Sequence, residues 1–281
     1  MPQPLISVCI PVYNGEKYVA ETIESVMRQN YPNIEIMVQD NASTDNTWPM
    51  LQSLAQQNQQ LFIVRNERNH GMAANWNLVI NRAKGEYVML LSADDQLVHG
   101  FIQKCLAVLE NNDGIDAIAT NHYFLKGGKL TKRKDLVQPR TYQSYCHEII
   151  FFNPFSINFT LFRKAVLDNM RRGGSVFRSL YTCDYDLWIR LSLTEARIHY
   201  LGECLGIYRV HESNLSGQLH KMIRQAVLVL LSHKVMLKSK CPISYRVTLL
   251  RQIVRLYRHT LRGRFRDARL ERILWREFLA K

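Results

Sequence analysis

The stretch KGEYVMLLSADD, residues 84–95, constrains the fold more than any other part of the chain. Its apolar run, Tyr87 to Leu91, is bounded upstream by Gly85 and reads as a buried strand. The strand runs into two adjacent carboxylates, Asp94 and Asp95, where a loop begins. In an open α/β sheet, ligands collect in the crevice beyond the carboxyl ends of the strands. Two acids in that place, with few basic residues close by in sequence, suit a hard divalent cation that also holds phosphate oxygens. A solvated turn or a helix N-cap explains an isolated Asp-Asp just as well, so the weight falls on the remaining segments.

Strand and helix signals alternate upstream. Ile6 to Val12 is apolar, and Glu16 to Arg28 has helical spacing through Tyr18, Ile23, Val26 and Met27. Ile34 to Val38 is a second strand leading to Asp40, and Ser43-Thr44-Asp45 reads as a turn and N-cap for a helix through Leu51 and Leu54. Phe62 to Val64 is a third strand, and Gly71 opens a helix that ends near Lys84. This β-α-β-α-β-α-β order predicts an α/β fold, with a nucleotide-binding, mostly parallel sheet flanked by helices. Neither GxGxxG nor GxxxxGK(S/T) is present, which excludes a dinucleotide fingerprint and a P-loop.

Beyond Asp95, His99 to Leu109 reads as a helix and Ala117 to Leu125 as a strand. Gly127 to Arg140 is a basic, Gly-containing loop, long enough to be mobile or functional. Phe151 to Phe162 is aromatic-rich and extended, and Arg171 to Gly174 is a further loop. Cys183 to Leu191 begins a helix whose first turn carries Asp184 and Asp186, where carboxylates complement the helix dipole. Ala196 to Leu201 is a strand and Tyr208 to Ser216 a loop; from Leu219 onward the chain reads as helix, interrupted at Cys241-Pro242.

Charge divides the chain more sharply than pattern does. Residues 219–281 hold 16 Lys/Arg against 3 acids, while the preceding 218 residues hold 21 of each sign. A neutral body with a strongly basic C-terminal segment points to an acidic partner surface. The six cysteines form no CxxC pair, which argues against a zinc ribbon or a disulfide scaffold and fits a reducing compartment. The N-terminus has two early prolines and no basic n-region, so no signal peptide is expected, and no apolar run is long enough to span a bilayer.

Five stretches then fall into one pattern: VCIPVYNGEKYVAETIESV (8–26), VQDNASTDNT (38–47), HGMAANWNLVINRAKGEYVMLLSADD (70–95), DYDLWIRL (184–191) and YRVHESNLS (208–216). In this order, over roughly 215 residues, they resemble the family 2 glycosyltransferases, which have the GT-A fold. The resemblance implies an inverting, hexosyltransferase-type enzyme that moves a sugar from a nucleotide-sugar to an acceptor hydroxyl, with Mg2+ or Mn2+. It implies a catalytic domain over 1–218, with a nucleotide-binding half at about 1–110 and an acceptor half at about 111–218. The segment 219–281 lies outside it.

Carried over by position, Pro11 and Tyr13 would contact the base and Asp40 the nucleoside. Asn41 stands where the family often has a second acid, and its amide both donates and accepts. Asp94 and Asp95 would bind diphosphate and metal, with Asp95 the expected direct ligand and His211 a further one. The family frequently has an acid two places before that pair; this chain has Ser92. Asn75 and Asn77 are expected donors to phosphate or ribose, and Trp76 stands where Arg is common. Asp184 is the expected general base, with Cys183 replacing the usual neighbouring acid and Asp186 capping the helix. The stretch Phe151 to Arg163 resembles the family's acceptor floor, its aromatics suited either to a sugar face or to the core.

In the basic segment, apolar residues recur at Ile243, Val247, Leu250, Val254, Tyr257, Leu261 and Phe265, and Trp275 and Phe278 continue the pattern. Arg251, Arg255, Arg258, Arg262 and Arg266 each follow a stripe residue by one. Such a helix suits an anionic membrane surface, where each basic residue contributes roughly 1 kcal/mol. The alternative is packing on the catalytic domain or on a second subunit, giving a homo-oligomer through these helices. Nucleic acid is not expected, since no reading module accompanies the charge.

The expectation is therefore a cytoplasmic enzyme, peripheral on the inner face of the membrane. It would act on a saccharide acceptor, lipid-linked, in polysaccharide or lipopolysaccharide assembly. Two rival classes remain: a nucleotidyltransferase acting on a sugar phosphate, for which VYNGEKY is a poor phosphate loop, and a non-catalytic membrane-associated protein of the same fold.

Overall fold

The computed structural model describes residues 3–178, 180–212, 219–261 and 268–279. In chain order the elements are β1 (Ile6–Val12), α1 (Val19–Met27), β2 (Ile34–Asp40), α2 (Thr47–Gln57), β3 (Leu61–Arg65), α3 (Met72–Arg82) and β4 (Tyr87–Leu90). They continue as β5 (Gln96–Leu97), α4 (Phe101–Leu109), β6 (Ala117–Lys126), β7 (Lys129–Lys132), β8 (Arg140–Tyr142) and α5 (Cys146–Phe152). Then come β9 (Thr160–Arg163), α6 (Lys164–Asn169), α7 (Cys183–Ser192), β10 (Ile198–Arg209), α8 (Leu219–Ser232), α9 (Lys234–Lys240), α10 (Pro242–Leu261) and α11 (Ala268–Leu279).

The described residues form two compact units. One comprises 1–143, 155–179 and 196–211, and the other 144–154, 180–195 and 212–281. The first unit holds the whole sheet, in the order β3-β2-β1-β4-β9-β6-β10-β5, with β7 beside β6 and β8 beside β10. The strands β3, β2, β1 and β4 are mutually parallel. Every residue of β1 and β2 is buried, as expected of parallel strands covered on both faces. Beyond β4 the sheet is mixed, because β9 runs antiparallel to both β4 and β6. Pro11 still lies in register with Gln39 of β2, but the pairing of β1 with β4 ends at Cys9–Leu90, so the missing N–H breaks no bond on that side.

Three sequence expectations change. The basic loop after β6 contains β7, joined by a two-residue turn in which Gly127 (φ 54°) and Gly128 (φ 76°) supply the left-handed conformations of a tight hairpin. The aromatic stretch is not extended throughout. It forms the end of α5, a single 3-10 turn at Ile157–Phe159, and β9. Its Phe155, Phe159 and Phe162 are core residues, so the core reading holds for them. Tyr208 and Arg209, read as loop, complete β10, held by β6 on one side.

One glycine determines how close the aromatic stretch comes to β10. A Cβ on Gly206 would lie 2.1 Å from the Phe159 ring, so only glycine lets that ring rest on the strand. His122, the register partner of Gly206 on β6, also packs on Phe159 at 5.1 Å, and burial pushes its imidazole down to about 3, so it stays neutral.

The second unit is helical. Thr248 donates to the Ile150 carbonyl (3.5 Å), Arg251 to that of Phe151 (3.2 Å), and His147 pairs with Ser244 at 2.5 Å, stitching α10 to α5. The buried face of α10 is Tyr245, Leu249 and Ile253, not the stripe seen in the sequence. Ile243, Val247, Leu250 and Val254 are exposed instead. The helix is apolar on two sides, and the face with aromatic and hydroxyl groups that match α5 is the one that packs. Tyr257, Arg258 and Leu261 have side chains outside the described residues, as do Arg262, Phe265, Arg266 and the Ser213–Ser216 end of the YRVHESNLS stretch. Among the described residues no helix is long and apolar enough to cross a membrane.

Candidate active site

The loops after β1 and β2 are laced together. Asn14 donates its N–H to the Ser43 hydroxyl (2.9 Å) and accepts from the Thr44 N–H (2.8 Å), with its own backbone at φ 53°. Gly15 N–H reaches the Thr47 hydroxyl at 2.8 Å, and Glu16 N–H reaches Asp45 at 3.2 Å. The Ser43-Thr44-Asp45 turn thus joins the two loops, and Asp45 Oδ1 also accepts the Thr47 N–H (3.1 Å) at the start of α2, as a capping side chain does. The N-cap position belongs to Asn46, which makes no side-chain cap. Tyr13, the first residue past β1, is 48% exposed, so its ring is free to stack on a flat ligand.

Asp40 ends β2 fully buried. It accepts from the Ser43 N–H (3.2 Å) and hydroxyl, and Arg65 Nε lies 3.2 Å from its other oxygen. Arg65 stands directly across in register at the end of β3. Asn41 is also buried, at the centre of a carboxamide cluster that the sequence reading did not find. Its Oδ1 accepts from Asn66 Nδ2 (2.8 Å) and the His70 N–H (3.0 Å), and its Nδ2 donates to Asn69 Oδ1 (2.9 Å). Asn66 also donates to Asn75 Oδ1 (3.0 Å), and Asn75 Nδ2 donates to the Gln39 carbonyl (3.0 Å). Asn77 is engaged as fully. Its Oδ1 accepts from Val176 and Phe177 N–H (2.8 and 2.9 Å), and its Nδ2 donates to the Ala73 and Phe177 carbonyls (2.9 and 2.7 Å). Trp76 meets the Phe177 ring edge-on at 5.0 Å. Asn75 and Asn77 therefore shape this corner through the segments they hold.

At the end of β4 the two acids part. Asp94 keeps 28% of its side chain exposed, and its Oδ2 lies 2.9 Å from His211 Nε2. Asp95 is 1% exposed. Its Oδ1 accepts the Arg209 backbone N–H (2.9 Å) and its Oδ2 accepts Asn158 Nδ2 (2.6 Å). Burial, with the Asp94 charge beside it, raises the Asp95 carboxyl well above the usual range, and the Arg209 and Asn158 donors act against that rise. Arg209 also donates from Nε to the Asp94 carbonyl (3.0 Å), pairs with Glu21 (2.6 Å) and lies over the Tyr18 ring at 4.5 Å. His211 stacks on the same ring at 5.2 Å, so one tyrosine of α1's entry sets both residues beside the acids. Asn158 had a legible signal. A polar residue within a buried aromatic run needs a hydrogen-bond partner.

In the second unit, Asp184 is the second residue of α7 and partly exposed. Desolvation raises its carboxyl above the usual range, offset in part by the backbone N–H groups of Tyr185 and of Asp184 itself. Asp186 is not a surface cap. It is fully buried, between Arg190 Nε (2.9 Å) and His233 Nε2 (2.9 Å).

The family model for Glycosyl transferase family 2 matches residues 7–170. An uncharacterized glycosyltransferase of Haemophilus influenzae is 29% identical over 223 residues, which is 76% of this chain and 68% of the relative. The Escherichia coli UDP-Glc:alpha-D-GlcNAc-diphosphoundecaprenol beta-1,3-glucosyltransferase WfaP is 26% identical over 231 residues, 79% of this chain and 84% of the relative. Among solved structures, the Pyrobaculum calidifontis mannosyltransferase PcManGT in complex with GDP-Man and Mn2+ superposes with a TM-score of 0.64 at 16% identity, covering 98% of this chain and 79% of that one. That likeness is one of fold, and the fold is the GT-A type. Because the family match runs from β1 to the end of α6 and takes in more than half of the sequence, the chain belongs to glycosyl transferase family 2.

Proposed function

We propose that the protein is an inverting glycosyltransferase that moves a sugar from a nucleotide-sugar onto a saccharide acceptor, lipid-linked, in polysaccharide or lipopolysaccharide assembly. The observation that carries this reading is the corner at the end of β4, where Asp94, Asp95 and His211 meet beside α1. Pro11, Tyr13, Asp40 and Asn41 would form the nucleoside side of the pocket, with Asn77 acting through residues 176–177. The activity for which WfaP is named, with a diphosphoundecaprenol-linked sugar as acceptor, supports the choice of acceptor class.

Among the described residues no three His, Cys, Asp or Glu side chains converge to hold a metal on their own. The partly exposed Asp94 carboxylate, paired with the His211 imidazole, and the buried Asp95 beside it would hold a hard cation, Mg2+ or Mn2+, only together with the diphosphate of the donor. Bound there, it supplies charge stabilisation to the departing diphosphate. Asp184 would accept the proton of the acceptor hydroxyl, and its raised pKa makes it a stronger base than an exposed aspartate. Asp184→Asn is expected to slow transfer by about 10²–10⁴-fold while nucleotide binding stays intact. Normal turnover in that variant would sink the assignment.

The exposed face of α10 supports contact with an anionic membrane, which would place the enzyme on the cytoplasmic side. Ile243 is 77% exposed, Val247, Leu250 and Val254 are exposed with it, and Arg246, Arg251 and Arg255 lie among them. No acid occurs in the helix. Co-sedimentation with phosphatidylglycerol vesicles, lost in high salt and absent with phosphatidylcholine alone, is the expected result. Equal behaviour toward both vesicle types would refute the contact.

A further inference from the structure

We infer that Ser92 and Asn158 act as a positioning pair for Asp95, an inference that rests on reading Asp94 and Asp95 as the metal–diphosphate site. Asn158 is buried on the 3-10 turn, beside the Phe159 ring that Gly206 admits onto β10. Its amide has a fixed sense. The Ser92 hydroxyl donates to Oδ1 at 3.1 Å, so Nδ2 faces Asp95 and donates at 2.6 Å. The Arg209 backbone N–H holds the other carboxylate oxygen at 2.9 Å. With one donor on each oxygen, the plane of the carboxylate is set. The donors on its two oxygens, a carboxamide and a peptide N–H, are neutral, so they set the orientation of the Asp95 carboxyl for a cation–nucleoside diphosphate without placing a charged group on it, while the Arg209 guanidinium lies on the Asp94 carbonyl and Glu21. The Ser92 carbonyl accepts the Asp95 N–H at 3.1 Å, a bond that Ser92→Ala keeps, whereas its hydroxyl acts on the carboxylate through Asn158: without it the amide can turn over and set Oδ1 against the carboxylate.

The test measures uptake of Mn2+ by the full chain, from the electron paramagnetic resonance signal of the free ion, with UDP and separately with GDP. Removing an outer partner of a ligating group costs about 10–100-fold in metal affinity. Asn158→Ala is expected to weaken Mn2+ uptake by about that factor, while metal-free nucleotide affinity and the melting temperature change little. Ser92→Ala should weaken it less, and the double variant should be no worse than Asn158→Ala, as two residues of one relay require. Wild-type uptake in Asn158→Ala, or additive effects of the two substitutions, overturns the inference. Should Asn158→Ala fail to fold, Ser92→Ala alone decides, and unchanged uptake overturns the pair. Asp94→Asn and Asp95→Asn separate the two levels. If they lose uptake while Asn158→Ala keeps it, only the positioning role falls; if they also keep it, the site reading falls as well.

Discussion

Each unit contains a pair of nearby acids, and in both pairs one member is buried and the other partly exposed. At the end of β4, Asp95 is buried and Asp94 partly exposed; in the first turn of α7, Asp186 is buried and Asp184 partly exposed. The buried members are held by opposite means. Asp186 lies between the Arg190 guanidinium and the His233 imidazole, so its charge is met by cationic or ionisable partners. Asp95 has only neutral donors on its oxygens, with Arg209 contributing its backbone N–H rather than its guanidinium. A buried acid closed by cations supports a helix, whereas one set by neutral donors, its carboxyl raised by burial and by the Asp94 charge, is left for a cation to answer. The Arg209 side chain does not pair with either carboxylate of the corner; it donates to the Asp94 carbonyl, pairs with Glu21 and lies over Tyr18.

The largest expected effect breaks the comparison on the Asp186 side. Asp186→Ala leaves Arg190 and His233 without their shared buried partner and should cost about 3–5 kcal/mol, measured by urea unfolding. A loss under about 1 kcal/mol would mean the ion cluster contributes no more than a surface pair, and the contrast with Asp95 would collapse.

A smaller effect sharpens the contrast on the exposed side of the same helix. A carboxyl whose folded pKa lies above its unfolded value favours folding at low pH and opposes it as pH rises through the folded pKa. Asp184 is such a group, so Asp184→Asn should melt at a higher temperature than the wild type at neutral pH. The gain should vanish below about pH 4, the unfolded aspartate value. Thermal melts at the two pH values check it, and a neutral-pH loss would reverse the sign assigned to Asp184. The same variant that loses transfer would then be the more stable protein, the pattern of an acid kept for chemistry rather than for folding.

Much of the frame was legible. Apolar runs of strand length alternating with helically spaced segments predict β1 through β4 within a few residues, because burial on both faces of a parallel sheet demands continuous apolar strands. The hairpin turn at Gly127–Gly128 reads as loop in the sequence, and the second apolar face of α10, the one that packs, does not stand out there, for different reasons. The first needs two left-handed residues and so looks like a loop in composition. The second depends on which of two apolar faces finds a matching neighbour.

What the sequence determined by itself was local: which residues form strands, where acids end them, and where the positive charge collects. What only the tertiary structure decided was which member of each acid pair is buried, and among what. Register set Arg65 against Asp40, Gly206 admitted Phe159 and with it Asn158, and the end of β10 placed Arg209 and His211 beside Asp94 and Asp95. Those partners lie from about 25 to more than 110 residues away in the chain, and a carboxylate's charge, orientation and reactivity follow from the groups within hydrogen-bond reach in space, not from its neighbours in sequence.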